Sequence, residues 1–200
     1  CTFDDCHGSK AGCIDISVNC ATDDLILKNN TIKNMSPTND GNCYSVSIQT
    51  KEGTTIVFEE WTLIDNSCDG LYGGGTGFWL KGATAAQFVD CIYTNNIARN
   101  PNQHRHGQKP SEGNYYPGDG GGIQYGFSSE INNIDMSFIR CKFTQNKAVR
   151  NGGALAIQTI KTCNIINCTF GDNVANYQAS RQSADLLFDN YYFLKEKGRG

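Results

Sequence analysis

Long apolar runs and helical periodicity are both missing from this 200-residue chain, and so are the spacings C-x-x-C and H-x-x-x-H. Without a run of about 20 apolar residues there is no candidate for a membrane-spanning helix. No signal peptide or lipid anchor is visible either, and the numbering opens at Cys1 in the middle of a repeat, as expected of a processed product or a piece of a longer chain. Basic clusters are absent too: 17 Lys and Arg against 20 Asp and Glu lie scattered, net charge is -3, and a nucleic-acid or anionic-membrane partner is not expected. Only Cys163 and Cys168 come near a ligand-type spacing, so the expected set of metals and cofactors is empty.

What the chain does have is turn formers and sulfur. It carries 22 Gly, 21 Asn and ten Cys, with 38% hydrophobic residues, which is neither a disordered nor a membrane composition. About 5% cysteine without metal spacing favours disulfides in an oxidising compartment. Three Asn-x-Ser/Thr sequons, at Asn29, Asn34 and Asn167, agree with that reading, and a secreted or cell-surface glycoprotein is expected.

Self-similarity organises the rest. Cys141-Lys-Phe-Thr-Gln-Asn resembles Cys168-Thr-Phe-Gly-Asp-Asn, Cys1-Thr-Phe-Asp-Asp-Cys and Cys91-Ile-Tyr-Thr-Asn-Asn, with weaker copies from Asn30 and Trp61. The unit therefore starts at 1, 30, 61, 91, 141 and 168, at intervals of 29, 31, 30, 50 and 27. The one long interval is caused by residues 97–120, which hold three of the four prolines and read as a loop inserted in a coil.

Two residues after each start stand Phe3, Ile32, Leu63, Tyr93, Phe143 and Phe170, a column expected to point inward. Five after the start come Cys6, Met35, Asn66, Asn96, Asn146 and Asn173; Asn tolerates a left-handed backbone, so this column is expected to mark a corner. A second strand follows a Gly or Cys, as in Cys13-Ile-Asp-Ile, Cys43-Tyr-Ser-Val, Gly77-Phe-Trp-Leu, Gly122-Ile-Gln-Tyr and Gly153-Ala-Leu-Ala-Ile, and a third includes Leu25-Ile-Leu, Ile56-Val-Phe and Met136-Ser-Phe. Three short alternating strands per unit predict an all-β fold. It is a right-handed, three-sided parallel β-helix of about six coils in a single domain, 1–200, roughly 29 Å long at the strand spacing.

Phe143-x-x-Asn146 and Phe170-x-x-Asn173, with Gly152-Gly-Ala-Leu155, resemble the repeat pair of the chlamydial polymorphic outer-membrane proteins and of similar protist surface proteins. That resemblance implies a secreted β-helical adhesin or surface component, although no outer-membrane barrel follows and both motifs are complete together only in the unit at Cys141.

Equivalent positions on neighbouring coils lie about 4.8 Å apart, within the separation that a disulfide spans. Cys13 with Cys43, and Cys141 with Cys168, are the candidate pairs, with Cys91 in the second column; a ladder of free buried thiols is the alternative. For chemistry, Asp4-Asp5 and Asp23-Asp24 suit turns as well as catalysis, and the His-Gly pairs at His7 and His106 lack the partners that a pectin-type hydrolase would need. The chain is thus expected to be structural or adhesive rather than enzymatic, with a polysaccharide lyase or hydrolase as the rival. In the insertion, His104, Arg105, His106, Tyr115 and Tyr116 form a candidate ligand loop for a glycan or host surface, and a His-x-His metal site there lacks a further ligand. Open solenoid ends predict end-to-end self-association into a filament, or continuation of the same chain.

Overall fold

A three-residue run with one apolar residue between two polar ones buries a face only by stacking on a like run. In the computed structural model, which describes residues 1–7, 11–18, 24–36, 44–68, 75–99, 120–125, 134–149, 152–158, 160–175 and 186–189, the runs stack in this way. Every element among these residues is a β-strand. The first run of each repeat supplies one rung of a six-stranded parallel sheet, in the order Thr2–Asp4, Thr31–Lys33, Thr62–Ile64, Ile92–Thr94, Lys142–Thr144 and Thr169–Gly171. Its register puts Phe3, Ile32, Leu63, Tyr93, Phe143 and Phe170 in one column, and the long interval between Ile92–Thr94 and Lys142–Thr144 causes no offset.

Two left-handed residues bracket these rungs. Asn29, Glu60, Asp90, Arg140 and Asn167 (φ 53–57°) precede the start of each unit, and Asp5, Asn34, Asp65, Asn95, Gln145 and Asp172 (φ 53–58°) follow the rung. The corner thus lies one residue before the Asn column. Asn66, Asn96 and Asn146 are themselves fully buried and turn inward. The backbone N–H and Nδ2 amide of each donate to Oδ1 of the next member: Asn66 to Asn96 (3.1 and 2.9 Å), Asn96 to Asn146 (3.1 and 3.0 Å), and Asn146 to Asn173 (3.1 and 2.9 Å). The Nδ2 groups also donate to Ile32, Leu63, Tyr93 and Phe143 carbonyls at 2.9–3.0 Å. Asparagine stands here because it both donates and accepts on one short stem, which closes the backbone bonding of a turn inside the core.

After this corner, two-residue strands (Ser67–Cys68, Ile97–Ala98, Lys147–Ala148 and Val174–Ala175) form a four-stranded parallel ladder that the three-sided expectation lacked. The second and third strands, by contrast, belong to one nine-stranded sheet. In two units they run on as Tyr44–Glu59 and Thr76–Val89, bent at Gly53 (φ 100°) and Gly82 (φ 87°). A Cβ on Gly82 would stand 2.1 Å from the Thr50 carbonyl oxygen, so only glycine fits that bend. Later units split the same path into Ile123–Tyr125 and Ile134–Ile139, then Leu155–Gln158 and Ile160–Ile166.

The fold is therefore an all-β parallel solenoid whose core is a set of columns. Phe58, Phe88 and Phe138 stack at 4.8 and 5.0 Å, and Tyr93, Phe143 and Phe170 at 4.7 and 5.1 Å. Each such side chain contributes about 1.5–3 kcal/mol when fully buried. Middle rungs are sealed, as at Leu63, Tyr93 and Phe143, all 0% exposed. The outermost described rungs leave Phe3, Ile14, Ile16, Leu25 and Leu27 at one end, and Ile165 and Phe170 at the other, only half-buried.

Candidate functional site

Alternation along a strand turns every second side chain outward. Around the core residues Phe78 and Leu80 it turns Trp79 and Lys81 to the other face of the sheet, where both are half-buried and Trp79 also packs against the edge of the hydrophobic core. Register then assembles a grid of six side chains on three neighbouring strands. Asp15, Ser47 and Trp79 form one row, and Ser17, Gln49 and Lys81 the next.

The grid is chemically mixed. Ser47 Oγ donates to Asp15 Oδ1 at 2.9 Å, and the Lys81 ammonium lies 5.8 Å from the Trp79 ring centroid. Asp15, Ser17 and Gln49 are exposed, whereas Ser47, Trp79 and Lys81 are half-buried. A flat indole beside a carboxylate, a carboxamide, hydroxyls and an ammonium can stack against the apolar face of a sugar ring while bonding its hydroxyls. Asp15 is the one carboxylate of the six, whereas glycoside hydrolysis uses two. The sequence reading singles out none of these residues, although strict alternation about Phe78 already turns Trp79 outward.

The sequence-derived candidates are distributed differently. Asn29, Asn34 and Asn167 are exposed, and all three occupy left-handed corners, a conformation that asparagine serves without any glycan. The Asn34 amide donates to Asp4 Oδ1 at 2.8 Å. Cys141 and Cys168 begin adjacent rungs, with the Cys141 N–H donating to Cys168 Sγ at 3.3 Å and no S–S bond joining them in this structure. Cys13 is also a free, half-buried thiol beside Cys6, and burial is the first cause that raises its pKa.

The register pairs Ala11 with Tyr44 and Ile14 with Val46, and Cys13 falls in the irregularity between these two pairs. Cys43 lies outside the described residues. So do His104, Arg105, His106, Tyr115 and Tyr116, with most of the 97–120 insertion. Two alignments in the second strand also shift: Ile123 pairs with Thr76 and with Leu155, setting Gly122 level with Gly75 and Ala154 rather than with Gly77 and Gly153. Among the described residues no group of three or more His, Cys, Asp or Glu is placed to hold a metal ion, and no helix is long and apolar enough to cross a membrane.

Comparison of the chain with family models, with curated proteins and with solved structures returned no match.

Proposed function

We propose that this chain is an extracellular structural or adhesive module whose solenoid wall presents a glycan-contacting face, centred on Trp79. The observation that carries this reading is the outward indole set in register with Asp15, Ser47, Gln49 and Lys81. A stacked parallel sheet holds such a grid rigidly, so a ligand need not order it. The resemblance of the Phe-x-x-Asn and Gly-Gly-Ala-Leu repeats to secreted surface proteins supports the compartment. So do three exposed sequons, which would carry N-glycans.

The half-buried end layers around Phe3 and Leu27, and around Ile165 and Phe170, would be covered by a like coil, from the same polypeptide or from a second copy, and the latter would build a filament.

The test is a glycan array followed by titration calorimetry with the wild-type chain and Trp79→Ala. Binding lost in the variant, with an unchanged circular dichroism spectrum, supports the reading. Equal binding by both proteins, or no binding by the wild type, defeats it. Release of reducing sugar or unsaturated uronide from a polysaccharide panel would replace it with a carbohydrate-active enzyme. Light scattering of the chain across a concentration series tests the filament, which a strictly monomeric protein would rule out.

A further inference from the structure

The first position of each repeat is occupied by Trp61, Cys91, Cys141 and Cys168 in four successive units, residues with little in common except a donor hydrogen. The same carbonyl position lies within reach of that hydrogen in each unit. Trp61 Nε1 donates to the Leu27 carbonyl at 2.8 Å, Cys91 Sγ to Phe58 at 3.5 Å, Cys141 Sγ to Phe88 at 3.2 Å and Cys168 Sγ to Phe138 at 3.4 Å. Leu27, Phe58, Phe88 and Phe138 are themselves one column of the large sheet, so the bond repeats from rung to rung.

Each sulfur also has a second carbonyl within reach across the corner, from Val89 at 3.4 Å, Ile139 at 3.6 Å and Ile166 at 3.5 Å. As an acceptor, Cys168 Sγ takes the Cys141 N–H at 3.3 Å, a backbone group that precedes the rung and lies outside the sheet ladder. Cys168 therefore does at this corner part of what an asparagine amide does at the other: it donates backward to one carbonyl and accepts one backbone N–H.

We propose that Cys91, Cys141 and Cys168 form a hydrogen-bonded thiol ladder that is retained as three free thiols in the native protein. Any disulfide of this chain then lies at other cysteines. An S–S bond has no S–H, so it would remove two donors from the corner and draw both sulfurs off their carbonyls. Cys141 is moreover flanked by a thiol on each side, so the stack selects no unique pair and any bond would strand the third member. Cys91 and Cys141, 0% and 1% exposed, are closed to oxidants in solution.

Thiol counting on the secreted full chain, unfolded without reductant, separates the two states. Cys91→Ala, Cys141→Ala and Cys168→Ala should each lower the count by one relative to wild type. A rise by one in any of them would reveal a partner released from a disulfide and overturn the proposal. A second reading needs no variant: the Raman S–H band of the native wild type should lie on the low-frequency, hydrogen-bonded side of that of a free thiol. Absence of a band, or a band at the free-thiol position, would equally overturn it.

Discussion

The side-chain amide of Asn96 donates to Oδ1 of Asn146 at 3.0 Å, although fifty residues of chain separate them. Both are fully buried, and each stands in an unbroken series that runs from Asn66 to Asn173. Truncation of Asn96 to Ala would leave the Asn66 N–H and the Leu63 carbonyl without their partner inside the core. A buried polar group left unpaired costs about 1–3 kcal/mol, so Asn96→Ala should lower stability by roughly 2–4 kcal/mol. Denaturant unfolding followed by circular dichroism measures this, and a loss below about 1 kcal/mol would mean that water replaces the ladder.

Tyr93 and Phe143, one rung apart, stack at 4.7 Å with planes 4° apart, yet their substitutions should differ in sign. The Tyr93 hydroxyl is buried beside Cys91 without a well-formed hydrogen bond, and burial keeps it protonated. Tyr93→Phe should therefore leave the melting temperature unchanged or raise it, whereas Phe143→Ala should cost about 3–5 kcal/mol by opening a cavity between two rings.

Gln145 adopts φ 58° at a corner where the other units carry Asp5, Asn34, Asp65, Asn95 and Asp172. Its longer side chain lacks the local hydrogen bonding that lets Asn and Asp tolerate this conformation. Gln145→Asn should raise stability by a few tenths to about 1 kcal/mol in thermal unfolding, and a decrease would show that Gln145 does more than turn the chain.

His7 joins two units, with Nδ1 3.0 Å from the Ser36 carbonyl and Nε2 2.8 Å from Asp5 Oδ1. Both contacts favour the imidazolium, the Ser36 carbonyl more than Asp5, and raise its pKa above the ordinary 6.5. The sign follows: the contribution of His7 to stability is fully present below pH 6.5 and disappears as pH rises through the folded-state value. An NMR titration should give a His7 midpoint above 6.5, and the melting temperature of wild type minus that of His7→Gln should fall as pH increases through it. A midpoint at or below 6.5 would show that the contacts do not persist in solution.

The Phe3-to-Phe170 column could be read from spacing because one large apolar residue recurs at the same offset in every unit, and only a stacked coil buries such a series. The Asn column could be located but its work could not. Asn66 suits a left-handed corner as well as an inward ladder, and the choice falls to its neighbour Asp65, which takes φ 57° and leaves Asn66 free to face the core. The second strands misled for a related reason. Gly75, Gly77, Gly121, Gly122 and Gly153 give several equally good alignments, and the register is decided by which apolar residues reach the core columns, as Ile123 does opposite Leu155. Trp79 carried a readable signal in its alternation with Phe78 and Leu80, but a tryptophan between core residues passes as core until its strand is paired.

By itself, the sequence determined that this chain winds: a repeat of about thirty residues, an apolar column, corners rich in Asn and Asp, and too little helical periodicity for a helical fold. Its local chemistry is enough for that, because turn conformation and strand alternation depend on neighbours a few residues away. Only the tertiary structure decided which side chains meet across rungs, and so that Trp61, Cys91, Cys141 and Cys168 share one hydrogen-bonding role and that Asp15, Ser47 and Trp79 form one row. Those contacts join residues some thirty to fifty positions apart, and their identity depends on a rung register that a single-residue slip would change.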